Sequence, residues 1–277
     1  MKPLYNKINK RLHQNHYFWV IPISIIMTLI TWEGLVRIFD FPAFILPSPL
    51  LVFQKFWQVL QNGTLLNHTA ITLLEVLTGL FSGGVLAILI GYLLAKSRLL
   101  ESLVSPILVA SQAIPIVAIA PLLVIWFGSG MLSKVLICGL IVFFPILVNT
   151  VVGFRSVSPD LEDLMISLKA NRLQTLRHLE IPSALPVLLG GLRVGATLSV
   201  IGAVVGEFVG ADRGLGFLIN IGRGQYDTAL VFVAIFTLVI LALCLYGIVV
   251  LMEKRLLAWK QSTDISKEVI HLTTKRG

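Results

Sequence analysis

Six stretches of this chain, residues 17–39, 68–95, 104–127, 133–153, 186–210 and 229–252, are apolar over the length that a bilayer crossing needs, about 20 helical residues. Inside hydrocarbon every backbone N–H and C=O must be bonded within the protein, so each stretch is expected to be a helix. Composition agrees with that reading. Of the residues, 56% are hydrophobic and 13% charged, whereas a soluble domain carries about a quarter charged residues. The expectation is an all-α integral membrane protein with six transmembrane helices. The first apolar run has no small-residue cleavage site and continues to spanning length, so it reads as a span and not as a cleaved signal.

The intervals between the spans differ in character. Residues 41–60 hold Pro42, Pro47 and Pro49, which rule out a continuous spanning helix. Residues 50–60 read as a short amphipathic helix at an interface, with Phe53, Phe56 and Trp57 as aromatic anchors. The most charged interval is residues 158–186, SPDLEDLMISLKANRLQTLRHLEIPSALP, between spans 4 and 5. Leu161, Leu164, Leu168 and Leu176 recur there at near-helical spacing, which predicts one or two short helices with an apolar stripe. Pro159 suits a first turn, and Asp160, Glu162 and Asp163 complement the N-terminal end of the helix dipole. Pro182 and Pro186 are expected to stop the second helix and lead into span 5. Such an insert stays disordered, lies on headgroups or docks into another protein, and which of these it does decides the function.

Charge sets the orientation. The net charge is +8, but its distribution matters more than its size, and nothing here points to nucleic acid. Sixteen of the 22 Lys and Arg residues fall on the side that holds both termini, the turn at Lys96 and Arg98, and the insert. The positive-inside rule makes that side cytoplasmic. The expected organisation is a cytoplasmic segment 1–16, a six-helix domain 17–252 with a cytoplasmic loop 154–185, and a polar tail 253–277.

Gly79 with Gly83, Gly191 with Gly195, and Gly202 with Gly206 and Gly210 recur at four-residue spacing and mark faces where helices approach closely. Ionisable residues inside spans are functional candidates. Glu33 has Arg37 as a partner within reach. For Glu75 and Glu207 two readings stand, a structural ion pair or hydrogen bond and a place in a transport path. Gln112 and Pro115 form a polar, kinked position in span 3, where freed carbonyls face protein or a cavity. Asn149, with Thr150 after Pro145, forms a second in span 4. Both are expected to line a transport path, with packing as the alternative. Cys138 and Cys244 sit in apolar runs and read as small core residues, neither a disulfide nor a metal pair. His13, His16, His68, His178 and His271 are scattered and read as solvated. No GxxxxGK[ST] loop, HExxH or CxxC occurs, so the chain is not expected to hydrolyse ATP or hold a metal or other cofactor itself. The glycines of GADRGLG, residues 210–216, are expected to make turns in a re-entrant segment on the outer face.

The later part of the insert, SLKANRLQTLRHLEIPSALP at residues 167–186, resembles the EAA loop of the permease subunits of bacterial ABC importers. Counted back from Pro182, the Ile-x-Leu-Pro end of that pattern falls on Leu179, Glu180, Ile181 and Pro182. Its glycine falls on Lys169 and its Glu-Ala-Ala on Asp163, Leu164 and Met165. The tail is kept while the glycine and both alanines are lost, which moves the expected break between two helices towards Asn171. The resemblance implies a coupling helix seated in a groove of a separate ATPase, with Asp163, Lys169, Ala170, Asn171, Leu173, Gln174 and Pro182 as its residues. Leu173, flanked by Asn171, Arg172, Gln174 and Thr175, fits an apolar knob with a polar rim.

The resemblance extends to PSP at 47–49, QAIPIVAIAPLLVIWFG at 112–128, FFPILVNT at 143–150 and GEFVGADRGLGFLI at 206–219. The set is similar to the permeases for nitrate, sulfonate, taurine and thiamine-precursor pyrimidines. Within that group, DLM at 163–165 and FFPILVNT look most like members assigned to pyrimidines, riboflavin and related heterocycles. What it implies is a multi-pass permease of the bacterial inner membrane that carries a small organic anion or heterocycle by alternating access. It would work as a homodimer, or paired with a close relative, together with two ATP-binding cassette ATPase subunits and an extracytoplasmic substrate-binding protein. Two other classes remain: a membrane scaffold or enzyme subunit whose loop binds a cytoplasmic partner, and a channel, which lacks a filter segment here.

Overall fold

The computed structural model describes residue 20 and residues 22–258, and all regular structure among them is helical. The expectations for residues 1–16 and 259–277 lie outside the described residues. Helix α1 covers residues 22–38. It is followed by α2 (Pro49–Gln61), α3 (Thr64–Lys96), α4 (Arg98–Gln112), α5 (Ile116–Phe127), α6 (Met131–Arg155), α7 (Pro159–Ser167), α8 (Arg172–Thr175), α9 (Ile181–Gly210), α10 (Leu215–Gly224) and α11 (Thr228–Leu256). Four runs are long and apolar enough to cross a membrane: α3, α6, Arg172–Gly210 and α11. The pair α4 and α5 makes a fifth if it is a single span. Of the expected first span, residues 22–38 are helical.

Caps and prolines set the boundaries. Ser48 accepts from the Leu51 N–H ahead of Pro49, and Ser97 accepts from the Leu100 N–H, each tying down one of the donors a helix start leaves free. Span 3 was expected to bend at Pro115. Instead the chain breaks there, with α4 and α5 at 93°. Pro115 carries no N–H and is extended at φ −62° and ψ 121°, so the helix cannot run through it. The opposite correction applies at Pro182 and Pro186, which do not stop a helix. The turn Leu176–Glu180 is π-helical, and the Ile181 N–H donates to Leu176 O, five residues back. This wider register takes in Pro182, and the run from Arg172 to Gly210 continues.

The break in the insert stays at Lys169 and does not move to Asn171. Helix α7 opens on Pro159 with Asp160 and Glu162 in its first turn, as expected. It closes in a Schellman arrangement, with the Lys169 N–H on Ile166 O at 2.9 Å and the Ala170 N–H on Met165 O at 3.0 Å. Lys169 takes φ +52°, the left-handed position where glycine costs least. A lysine there costs about 1–2 kcal/mol, a strain that the surrounding hydrogen bonds hold.

The described residues form two compact units, one of those up to Leu65 with Ile219–Ala234, the other of Leu66–Leu218 with those from Ile235 onward. In the second unit α6 lies between α3 and α9, and the glycines expected to pack do so. A Cβ on Gly83 would lie 2.5 Å from Gly139 O, and one on Gly202 would lie 2.7 Å from the Cys138 Cα. Further along, a Cβ on Gly191 would meet the Asn149 Cβ at 2.6 Å and one on Gly206 the Lys134 Cα at 3.2 Å. Cys138 is buried at this waist and donates to Ser199 O at 3.3 Å, while Cys244 is exposed rather than a core residue. Val76, Ala196, Val200, Ala203, Leu241, Leu245 and Val249 join α3, α9 and α11 in one apolar cluster. In the first unit Trp32 stacks on Phe232 and Lys55 pairs with Asp227 at 2.6 Å.

The Lys169 turn gives a direct test. Lys169→Gly removes about 1–2 kcal/mol of strain and should leave the insert folded with its amides at 169 and 170 protected from hydrogen exchange. Lys169→Pro fixes φ near −65° and leaves no N–H at 169 to donate to Ile166, so protection at the 170 amide, the one both variants keep, should be lost. Equal protection in the two variants would show that the turn does not depend on this residue.

Candidate functional site

The insert forms a corner rather than a loose loop. In α8, Asn171 and Gln174 make a reciprocal capping box: the Asn171 Oδ1 accepts from the Gln174 N–H at 2.9 Å, and the Gln174 Oε1 accepts from the Asn171 N–H at 2.8 Å. With the Lys169 turn on one side and this box on the other, Leu173 is fixed in place and 71% exposed. Leu161 and Leu164 on α7 and Leu168 at its C-cap are exposed as well. The apolar stripe read from the sequence therefore exists and faces outward, next to the charges of Asp160, Glu162, Asp163 and Arg172. Of the residues singled out for this segment, Asp163, Lys169, Asn171, Leu173 and Gln174 are exposed, Ala170 is half-buried in the turn, and Pro182 lies past the π turn in the first turn of α9.

A second constellation lies within the spans. Glu207, fully buried, accepts from the Thr72 Oγ1 at 2.6 Å and from the Gly216 N–H. The Leu215 N–H donates to Thr72 Oγ1 at 2.8 Å, and the Gly214 N–H donates to His68 Nδ1 at 2.9 Å. Lys134 and Glu75, both buried, pair at 3.4 Å. The first N–H groups of α10 thus rest on a buried carboxylate and its neighbours, the arrangement that an anion at a helix start favours. Glycine is needed for this approach. Gly214 takes φ +111°, and a Cβ on it would overlap the Glu207 carboxylate. Of the two readings open for Glu207, the structural one fits, because both oxygens are taken by the protein's own donors. Glu75 pairs with Lys134, a partner the sequence reading did not name. His68 is not a solvated histidine, since it receives Gly214 and lies against Phe217.

The remaining sequence candidates separate into two kinds. Gln112 and Pro115 are both exposed at the α4–α5 break. Asn149 donates from Nδ2 to Pro145 O at 2.7 Å and lies where a Gly191 side chain would go, which is packing. Sequence reasoning missed Thr72 and His68. The signal was available: His68, Thr72, Glu75 and Gly79 follow one helical face, a polar stripe along an otherwise apolar span. No group of three or more His, Cys, Asp or Glu among the described residues could hold a metal.

Residues 83–258 match the family described as binding-protein-dependent transport system inner membrane component. The chain belongs to this family. It is the membrane permease subunit of an ABC transporter, a transport component and not an enzyme. The permease is 49% identical to the riboflavin transport system permease protein RibX of Chloroflexus aurantiacus, over 87% of this chain and 90% of that one. It is 37% identical to the formylaminopyrimidine transport permease protein ThiX of Halalkalibacterium halodurans, over 85% and 94%. The structure resembles one described as "Crystal structure of an amino acid ABC transporter with histidines", with a TM-score of 0.53 and 18% identity over 72% of this permease and 96% of that chain. That likeness is one of fold. The family also makes this an inner-membrane protein that works with a binding protein.

The buried network predicts a graded loss. Glu207→Ala leaves the Gly216 N–H and Thr72 hydroxyl without their acceptor and should lower stability by about 1–3 kcal/mol per buried group left unpaired. Glu207→Gln keeps one acceptor oxygen and should fall between the two. Thermal unfolding in detergent measures this, and an unchanged midpoint for Glu207→Ala would remove the network from the account.

Proposed function

We propose that this permease carries a small heterocycle of the riboflavin or thiamine-precursor class through the inner membrane, driven by ATPase subunits that dock on the α7–α8 corner. The reading takes the chain as six spans with both termini and the insert in the cytoplasm. Residues 17–39 supply the first span, and the bent pair α4 and α5 the third. The carrying observation is the corner itself. It presents an exposed Leu173 between a Schellman turn and a capping box, at the position where the EAA-like pattern places its knob. A rigid element with an apolar tip makes the differential contacts that a two-state partner needs in order to shift an equilibrium. A membrane scaffold or enzyme subunit would have no use for the family match across 83–258.

In this reading two copies of the permease enclose the pathway, and the α4–α5 break with Gln112 and Pro115 is the part of this chain set against it. A binding protein delivers the substrate to the outer face. ATP binding draws the ATPase subunits together, and the corners move with them. The heterocycle class rests on identity to the riboflavin and formylaminopyrimidine permeases.

The test is uptake into proteoliposomes that hold the permease, its ATPase partner and a binding protein. ATP-dependent uptake of riboflavin or formylaminopyrimidine is expected. Leu173→Asp should reduce it to background while leaving the amount of inserted permease unchanged, since the substitution lies outside the spans. Normal uptake by Leu173→Asp would sink the docking assignment, and uptake of neither compound would sink the substrate class.

A further inference from the structure

Both ends of the insert grip the same turn of α3. On the entry side, Arg155 at the end of α6 donates to Glu101 at 2.6 Å and to the Leu94 carbonyl at 3.2 Å. Phe154 lies edge-on to Tyr92, with ring centroids 4.9 Å apart. Thr150 fills the space beside Gly91, where a Cβ would come within 2.7 Å. On the exit side Glu180, the last residue of the π turn, accepts from Lys96 Nζ at 2.7 Å. Lys96 in turn lies 6.0 Å from the Tyr92 ring centre. Residues 91–96 of α3 are thus held by residues just before the insert and just after it.

The Lys96–Glu180 pair differs from an ordinary surface pair. In the Glu33–Arg37 pair the arginine side chain is 78% exposed, and such a pair constrains little. In the Lys96–Glu180 pair the lysine side chain is 43% exposed, but the Glu180 side chain is only 6% exposed. Its Oε2 is buried with no hydrogen-bond partner, so Lys96 is the cation that compensates the carboxylate. A buried charge with one partner resists being pulled away from it. Whatever shifts Glu180 must carry Lys96 along or leave a bare charge behind. Glu180 also sits in a π-helical turn, a register that can be relaxed to α-helix by a one-residue shift and is frequent at functional sites.

We propose that Lys96 and Glu180 are a positioning pair that transmits displacement of the α7–α8 corner to the end of α3, with Arg155 and Glu101 fixing the other side. This rests on the reading that the corner docks an ATPase. The consequence is that the pair acts on coupling and not on docking. Loss of the pair should leave ATPase bound and ATP hydrolysed but separate hydrolysis from uptake.

The experiment uses the assembled transporter with Lys96→Met, Lys96→Arg, Glu180→Gln and the swapped pair Lys96→Glu with Glu180→Lys. Two quantities are measured: ATPase retained on purification from detergent, and substrate taken up per ATP hydrolysed. Lys96→Met and Glu180→Gln should retain ATPase at the level of the unmodified chain and lose about tenfold in uptake per ATP, within the range by which substitutions along a coupling network act. Lys96→Arg keeps the charge and should keep coupling. The swapped pair should recover most of the loss, which neither single change shares. Unchanged uptake per ATP in both neutral variants overturns the proposal. So does a swapped pair that retains ATPase but recovers nothing, or loss in Lys96→Arg equal to that in Lys96→Met. An unmodified chain that retains no ATPase overturns the docking reading, and the proposal with it.

Discussion

The close approach of α3, α6 and α9 is the constraint on which the rest depends. Within a bilayer, lipid tails are as apolar as leucine, so helices gain little from burying apolar side chains against one another. What holds them is contact between backbones, and that requires glycine. At Gly83 and Gly202 an added methyl group would meet backbone atoms of α6 directly. The polar features take their places from this waist. Lys134 and Glu75 face each other across α6 and α3, Thr72 and Glu207 across α3 and α9. Thr150 and Phe154 seat the end of α3 against α6, just where the insert departs.

The spans over α3, α6, α9 and α11 and their packing faces were legible in the sequence because both follow local rules. A run of apolar residues of fixed length is a helix in lipid, and small residues four apart lie on one face. The first helix of the insert was legible for a similar reason, Pro159 and its acidic neighbours marking the start. Three features were not. Proline rules treat each residue against an α-helical register, so the π turn that accommodates Pro182 was invisible to them. At Lys169 the expected glycine is absent but the backbone conformation it would serve is kept, since hydrogen bonds to Ile166 and Met165 hold the lysine there. Partners far apart in sequence, such as Thr72 with Glu207 and Lys96 with Glu180, depend on how helices stack, which no local pattern states.

The site divides along the same line. Leu173, Asn171 and Gln174 form a locally determined corner, held by the Lys169 turn and the capping box. Glu207 and Asn149, read as possible pathway residues, hydrogen-bond to Thr72 and Gly216 and to the Pro145 carbonyl respectively. Polar residues in a span have to be bonded to something, and here the partner is the protein itself. Gln112 and Pro115, at a break that exposes them, are the ones left facing outward. A permease built this way has a closely packed interior around α6, an exposed corner and a bent α4–α5 segment.

Amide hydrogen exchange on the purified permease, alone and in complex with its ATPase partner, tests the central claim most directly. The account predicts added protection across residues 159–176, with Leu173 and its neighbours at the centre, and little change at the waist where Gly83, Cys138 and Gly202 meet. Protection elsewhere with none at the corner would contradict it.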